Sequence, residues 1–223
     1  PKFNQKARLG AYIIGQKIFY GAAQAEICDL KDIKLIGQHN LSNILAAVSV
    51  ADLYNIPAEK IKTALKTFKG LEGRLQLVGE IEGVKYINDT TATAPDAAIA
   101  ALNSIAEFYS TQKETEPEEK KIILIAGGAD KKLDFDEFSQ AIVKKCKTVI
   151  LLKGSATDKI KKALDERFPI KIVNSMEKAV SLAAKEAIKG DIVLLSPGCA
   201  SFGLFEHEFD RGQQFNEAVA SLR

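Results

Sequence analysis

From Arg74 onward, short apolar runs and amphipathic stretches alternate along the chain. The runs fall at 75–80, 84–88, 121–126, 148–152, 170–173 and 191–195. Helical periodicity occupies most of the gaps, at 95–108, 135–145, 156–167, 176–188 and about 206–221. Strands alternating with helices of this length predict βαβ units and a mostly parallel α/β sheet. Glu82-Gly83 joins the first two runs, so these also fit a local hairpin. The polar, charged stretch 111–120 predicts a solvated loop before a buried strand.

The first 70 residues carry less pattern. Residues 10–20 alternate around Gly15-Gln16 and predict a hairpin. A helix is predicted from about His39 to Tyr54, with Ile44, Leu45, Val48, Ala51 and Leu53 on its apolar side. Pro57 opens a second helix, with Ile61, Ala64, Leu65 and Phe68 at helical spacing and Gly70 and Gly73 after its end. Two helices and a little sheet make a thin core for an independent domain.

Composition narrows the function classes. Over 223 residues the apolar share is 46% and the charged share 27%, with a net charge of +2. Neither nucleic acid nor an anionic membrane is indicated by so mixed a charge pattern. No apolar run is long enough to span a bilayer, and the first residues lack the apolar region of a secretory signal. A cytoplasmic protein is expected, and Pro1 in place of Met suggests a piece of a longer one. Three cysteines (Cys28, Cys146, Cys199) at unrelated spacings argue against a disulfide framework or a zinc site.

Candidate chemistry concentrates where strands end, the edge at which open α/β sheets bind ligands. One loop reads Asn88-Asp89-Thr90-Thr91-Ala92-Thr93, another Ser196-Pro197-Gly198-Cys199-Ala200-Ser201-Phe202, and a third Gly127-Gly128-Ala129-Asp130-Lys131-Lys132. Any of the threonines is a possible cap for the helix opened by Pro95. Lys131 is either a solvated lysine in an ordinary Gly-Gly turn or a point charge for a carboxylate or phosphate. Cys199 reads as a small buried residue rather than a nucleophile, since neither His39 nor His207 has a visible link to it. Asn40 and Asn43, three apart on one helix face, suit a purine edge or ribose, although Asn40 is equally an ordinary N-cap.

Taken together, these strings resemble a known family. Gly37-Gln38-His39-Asn40-Leu41-Ser42-Asn43-Ile44-Leu45-Ala46-Ala47 is similar to the G-x-H-N-x-x-N-x-x-A-A helix start of the Mur ligases. Leu71-Glu72-Gly73-Arg74 resembles their domain-junction arginine motif. The Asn88–Thr93 string resembles N-D-S-K-A-T of the branch that adds D-glutamate. The Ser196–Phe202 string, with Phe209-Asp210-Arg211-Gly212, resembles that branch's S-P-A-x-A-S-x signature and E-x-R-G tail.

The resemblance implies an incomplete remnant of a central ATPase domain over residues 1–72, then a C-terminal Rossmann-like, doubly wound domain over 73–223. It implies ligation of D-glutamate to UDP-N-acetylmuramoyl-L-alanine through an acyl phosphate, with ATP and Mg2+, in peptidoglycan synthesis. Thr93, Lys131, Ser201 and, as a substitute aromatic contact, Phe209 would bind D-glutamate. Asn40, Asn43, Arg74 and Asp89 would contact ATP, and no residue of this chain is expected to be catalytic or to bind metal.

The sequence departs from the family pattern at three places. Thr91 stands where the family has lysine. Glu208 stands where the tail has its aromatic residue, with Phe209 one position later. No Gly-Lys-Ser or Gly-Lys-Thr of a phosphate loop occurs in residues 1–223, so this chain alone is expected to lack ligase activity. A fragment dimer through an exposed central-domain edge and a hinge near Phe68–Arg74 are further expectations. Another amino-acid ligase of the family, and a non-catalytic binding or docking module, remain as alternatives. The D-N-P-R string of the diaminopimelate-adding relative does not occur.

Overall fold

A computed structural model of the chain describes residues 10–21, 25–33, 35, 37–110, 120–164 and 168–222. Residues 111–119 of the expected solvated loop, and the side chain of His39, lie outside the described part. The chain divides into two compact units, Pro1–Gly70 and Leu71–Arg223. Among the described residues no helix is long and apolar enough to cross a membrane.

The first unit is a three-stranded antiparallel sheet covered by two helices. Strands β1 (Ala11–Ile14), β2 (Lys17–Tyr20) and β3 (Ala25–Asp29) pair in chain order. Helix α1 spans Gln38–Leu53 and α2 spans Ala58–Thr67. Ile13, Ile18, Ile27, Cys28, Ile44, Val48 and Ile61 form their common core. The third strand has no counterpart in the sequence reading, because Ala25-Glu26-Ile27-Cys28-Asp29 holds only two strongly apolar residues between acids.

Two expectations for this unit need correction. Leu53 is not part of the apolar face of α1, being 78% exposed. It lies nine residues beyond Ile44, and nine steps of about 100° carry it to the opposite side of the helix. Nor is Asn40 the N-cap: Gly37 holds that position and makes no side-chain cap.

The second unit is a six-stranded sheet between two layers of helix. A hairpin of β4 (Gln76–Ile81) and β5 (Val84–Asn88) opens it. Glu82 and Gly83 turn at φ of 52° and 78°, the mirror-image geometry that matches strand twist. There follow α3 (Pro95–Ser110), β6 (Ile122–Gly127), α4 (Asp136–Lys145), β7 (Cys146–Leu152) and α5 (Thr157–Ala163). The unit ends with β8 (Ile170–Val173), α6 (Met176–Glu186), β9 (Ile192–Leu195) and α7 (Glu208–Ala220).

Spatial order is β4-β5-β9-β6-β7-β8, parallel throughout except for β4. Strands β6 and β9 are buried along their whole length, as interior parallel strands covered on both faces must be. Ile123, Ile125, Ile150, Leu152, Val193 and Leu195 pack on one face with residues of α6 and α7. Helices α3 and α4 pack together, and α4 lies against β7. The doubly wound, mostly parallel α/β sheet expected from the sequence is therefore present.

One feature of this order positions the site. The last strand in the chain, β9, inserts between β5 and β6. Its carboxyl end thus brings the Ser196–Ser201 loop between the loops that follow β5 and β6.

Candidate functional site

Backbone hydrogen bonds zip the three loops into one surface. Gly198 N–H donates to Ala92 O at 2.9 Å, and Gly127 N–H to Pro197 O at 2.9 Å. Ala129 and Ala200 exchange bonds of 2.9 and 3.2 Å. Gly128 permits this closeness, since it sits at φ 137° and a β-carbon there would lie 2.2 Å from Ala200 O. On this scaffold Lys131 Nζ donates to Thr93 Oγ1 at 3.2 Å. Ser201 follows directly on Ala200 and is buried. A cation and two hydroxyl residues are thus held on adjoining loops at the carboxyl edge of the sheet. This combination suits an anion such as a carboxylate, which takes one charge-assisted bond and several neutral ones.

The first loop anchors the entry to the unit. Asp89 is only 7% exposed. Its Oδ2 accepts from Ser196 Oγ at 2.8 Å and its Oδ1 from Leu75 N–H at 3.2 Å. Burial pushes its pKa up to about 7, against the opposing pull of these two bonds and of the Arg74 charge. Both carboxylate oxygens are therefore engaged within the protein. The exposed Arg74 stands beside this group on the turn before β4.

Two of the threonine hydroxyls reach partners far along the chain. Thr90 Oγ1 donates to Glu208 O at 2.7 Å and Thr91 Oγ1 to Gly73 O at 2.9 Å. Periodicity along the chain cannot reveal such long-range partners.

Arg211 is the residue whose role sequence reasoning missed. It is fully buried in the first turn of α7. Its Nε donates to Thr90 Oγ1 at 3.0 Å, one terminal nitrogen to Thr90 O at 2.7 Å and the other to Cys199 O at 3.1 Å. The guanidinium thereby ties the loop after β5 to the loop after β9. Burial lowers its pKa to about 10, which leaves it charged at neutral pH. The signal was present in the sequence: Arg211, Phe215 and Val219 recur every four residues, so they share one helix face. Gly212 lets that face approach, because a β-carbon there would lie 2.7 Å from Thr90 Cγ2. Asn88 completes the contact, donating to Gly212 O at 3.0 Å and Asn216 Oδ1 at 2.9 Å.

The remaining candidates lie on α7, in the loop after β9 and on α1. Phe209 is 57% exposed and meets the His207 ring edge-on, with centroids 6.2 Å apart. Glu208 is partly buried and contributes its carbonyl to Thr90. Burial pushes the Cys199 thiol up to about 12, so it is a neutral thiol. Asn40 and Asn43 lie on the first turns of α1, in the first unit. Among the described residues, no three of His, Cys, Asp or Glu converge as a metal site would require.

Residues 73–199 match the family model described as Mur ligase, glutamate ligase domain. A protein of Roseiflexus sp. (strain RS-1), named UDP-N-acetylmuramoylalanine–D-glutamate ligase, is 46% identical over 200 residues, which are 88% of this chain and 40% of that protein. A protein of the same name from Caldanaerobacter subterraneus subsp. tengcongensis is 43% identical over 218 residues, 96% of this chain and 45% of its own length. The chain thus spans less than half the length of these curated relatives.

Two solved structures share the fold at low identity. The UDP-N-acetylmuramate-alanine ligase MurC of Thermotoga maritima superposes with a TM-score of 0.66 at 16% identity, covering 93% of this chain and 44% of that one. A pseudomurein peptide ligase type C of Methanothermus fervidus gives 0.65 at 17%, covering 98% and 43%. Family model, relatives and fold agree: this chain belongs to the Mur ligase family, whose glutamate ligase domain lies over residues 73–199.

Proposed function

We propose that this chain is the amino-acid-binding part of an ATP-dependent ligase that adds D-glutamate to UDP-N-acetylmuramoyl-L-alanine in cytoplasmic peptidoglycan synthesis. The observation that carries the reading is the Lys131–Thr93 contact, with Ser201 buried on the adjoining loop, in a chain whose relatives bear that ligase name. A dicarboxylate substrate needs a fixed cation and neutral donors near it, and this strand-end surface has both. Residues 1–72 belong, on this reading, to the central ATP-binding domain and 73–223 to the domain that holds D-glutamate.

In the reaction, ATP would convert the muramoyl-alanine carboxylate to an acyl phosphate. The amine of D-glutamate would attack its carbonyl carbon, and the C–O bond to phosphate would break. This chain's part is to orient the amine by gripping the carboxylates, a contribution of positioning rather than of chemistry. Arg74, an exposed guanidinium, suits a phosphate of the nucleotide. Asn40 and Asn43 would read the base. Asp89 would act near the ribose.

The test is product formation by a full-length protein carrying this chain, given D-glutamate, ATP and the UDP precursor, with L-glutamate as control. Product with D-glutamate only is expected. No product, or equal use of L-glutamate, would reject the reading. The 223-residue chain alone is expected to make none, since residues 1–223 contain no Gly-Lys-Ser or Gly-Lys-Thr to hold phosphates.

A second expectation concerns the clamp itself. Lys131→Ala in the full-length protein should raise the KM for D-glutamate by about 10- to 100-fold, the worth of one charge-assisted hydrogen bond. The KM for ATP should stay near wild type. An unchanged D-glutamate KM would remove Lys131 from the substrate site.

A further inference from the structure

The turn that bears Arg74 is unusually constrained. Gly73 O accepts two hydrogen bonds from one residue: Thr91 N–H at 3.1 Å and Thr91 Oγ1 at 2.9 Å. Gly73 N–H donates to Gln76 Oε1 at 3.0 Å. Two residues later, Leu75 N–H donates to the buried Asp89 carboxylate at 3.2 Å. Arg74 is thus bracketed by contacts to the same strand-end loop, while its own N–H donates to Leu71 O at 3.2 Å.

The backbone of this turn is strained as well. Leu75 has φ of 44°, in the left-handed region that a leucine seldom adopts. Such a residue persists where its surroundings over-determine it, and these residues cluster at functional sites. Gly73, at φ 70°, leaves no room for a side chain, since a β-carbon would lie 2.8 Å from Thr90 Cγ2. The loop after β5 therefore dictates the path of the turn at Gly73 and Leu75, on either side of Arg74.

We propose that Thr91 is a positioning residue, which with Asp89 clamps the strained Gly73–Leu75 turn and so aims the Arg74 guanidinium. The position is the one where the family string carries lysine. A lysine would keep the N–H bond to Gly73 O but not the hydroxyl bond. In this chain the role at position 91 is mechanical: it fixes another residue's cation rather than supplying one. The inference rests on the reading above only in taking a nucleotide phosphate as the group that Arg74 meets.

Two variants test it, Thr91→Val, which keeps the shape without the hydroxyl, and Thr91→Ser, which keeps the hydroxyl. Amide hydrogen exchange on the 223-residue chain reports the clamp without any need for activity. The Leu75 amide should exchange about fivefold faster in Thr91→Val, the worth of one neutral hydrogen bond, and at the wild-type rate in Thr91→Ser. In the full-length protein Thr91→Val should raise the KM for ATP by about the same factor, leave that for D-glutamate unchanged, and be rescued by serine. Unaltered exchange in Thr91→Val overturns the clamp. Faster exchange with an unaltered KM for ATP overturns the positioning role. Should the wild-type protein form no D-glutamate product, the ligase reading fails, and the exchange result still decides the clamp.

Discussion

Replacing Arg211 by alanine is expected to destabilise the chain by about 3–5 kcal/mol, the combined cost of a large-to-small change in the interior and of leaving buried acceptors unpaired. The guanidinium makes three hydrogen bonds, to Thr90 Oγ1, Thr90 O and Cys199 O. Bonds to a charged donor contribute roughly 1.5–3 kcal/mol each, and the cost of burying the guanidinium, several kcal/mol, offsets part of that sum. Truncation removes both terms but strands two carbonyls in the interior and opens a cavity. Arg211→Met separates these causes, because it fills most of the volume and restores no donor. Arg211→Lys should behave like methionine, since one ammonium cannot reproduce the planar fork that reaches three acceptors. Urea denaturation of the three variants measures the effect. If all three unfold within about 0.5 kcal/mol of wild type, the level of an inconsequential surface change, Arg211 does not hold the two loops together.

The same residue shows where sequence reading succeeds and where it stops. Strand β6 was legible because all six of its residues are interior, and a fully buried strand writes a continuous apolar run. The helices that flank it were legible through period 3.6. Strand β3 was not, since five residues with two acids and one bulged partner carry too little pattern. Leu53 was misplaced because a list of apolar residues is not a phase: only the angle from Ile44 shows that it faces out. Strand order was beyond local pattern altogether. Nothing in Ile192–Leu195 announces that the strand pairs with β5 and β6, whose partner residues Lys85 and Ile122 lie far back in the chain, since pairing depends on non-local contacts. Yet that insertion is what gathers Thr93, Lys131 and Ser201 on adjoining loops. Family strings carried Thr93 and Ser201, while Lys131 stood in the Gly-Gly loop; the topology brings the three loops together. Arg211 and Thr91 escaped functional assignment because their meaning lies in partners far off in the chain.

Asp89 carries the second large effect, and its sign runs against the usual carboxylate. Its folded-state pKa, about 7, lies above the ordinary value of 3.8 because burial outweighs the bonds from Ser196 and Leu75 and the attraction of Arg74. The folded chain therefore binds a proton more tightly than the unfolded chain between those two values. The stability this contributes is fully present below about pH 4 and is lost as pH rises through about 7, a change on the order of 4 kcal/mol at 1.36 kcal/mol per pKa unit. Asp89→Asn should remove that dependence while preserving the contacts. The amide oxygen accepts from Leu75 N–H, which can only donate, and the amide nitrogen donates to Ser196 Oγ, whose hydroxyl turns to accept. Denaturation curves from pH 4 to pH 8 should then show the variant gaining on wild type between about pH 4 and pH 7, the window set by the two pKa values, with the difference levelling off above it. Parallel stability profiles would mean that Asp89 is ionised throughout the range. A gain at pH 8 would instead show that the chain keeps a charge there against its own stability. On the proposed reading, that charge sits beside Arg74 on the turn that meets the nucleotide, so the more stable variant should be the poorer ligase.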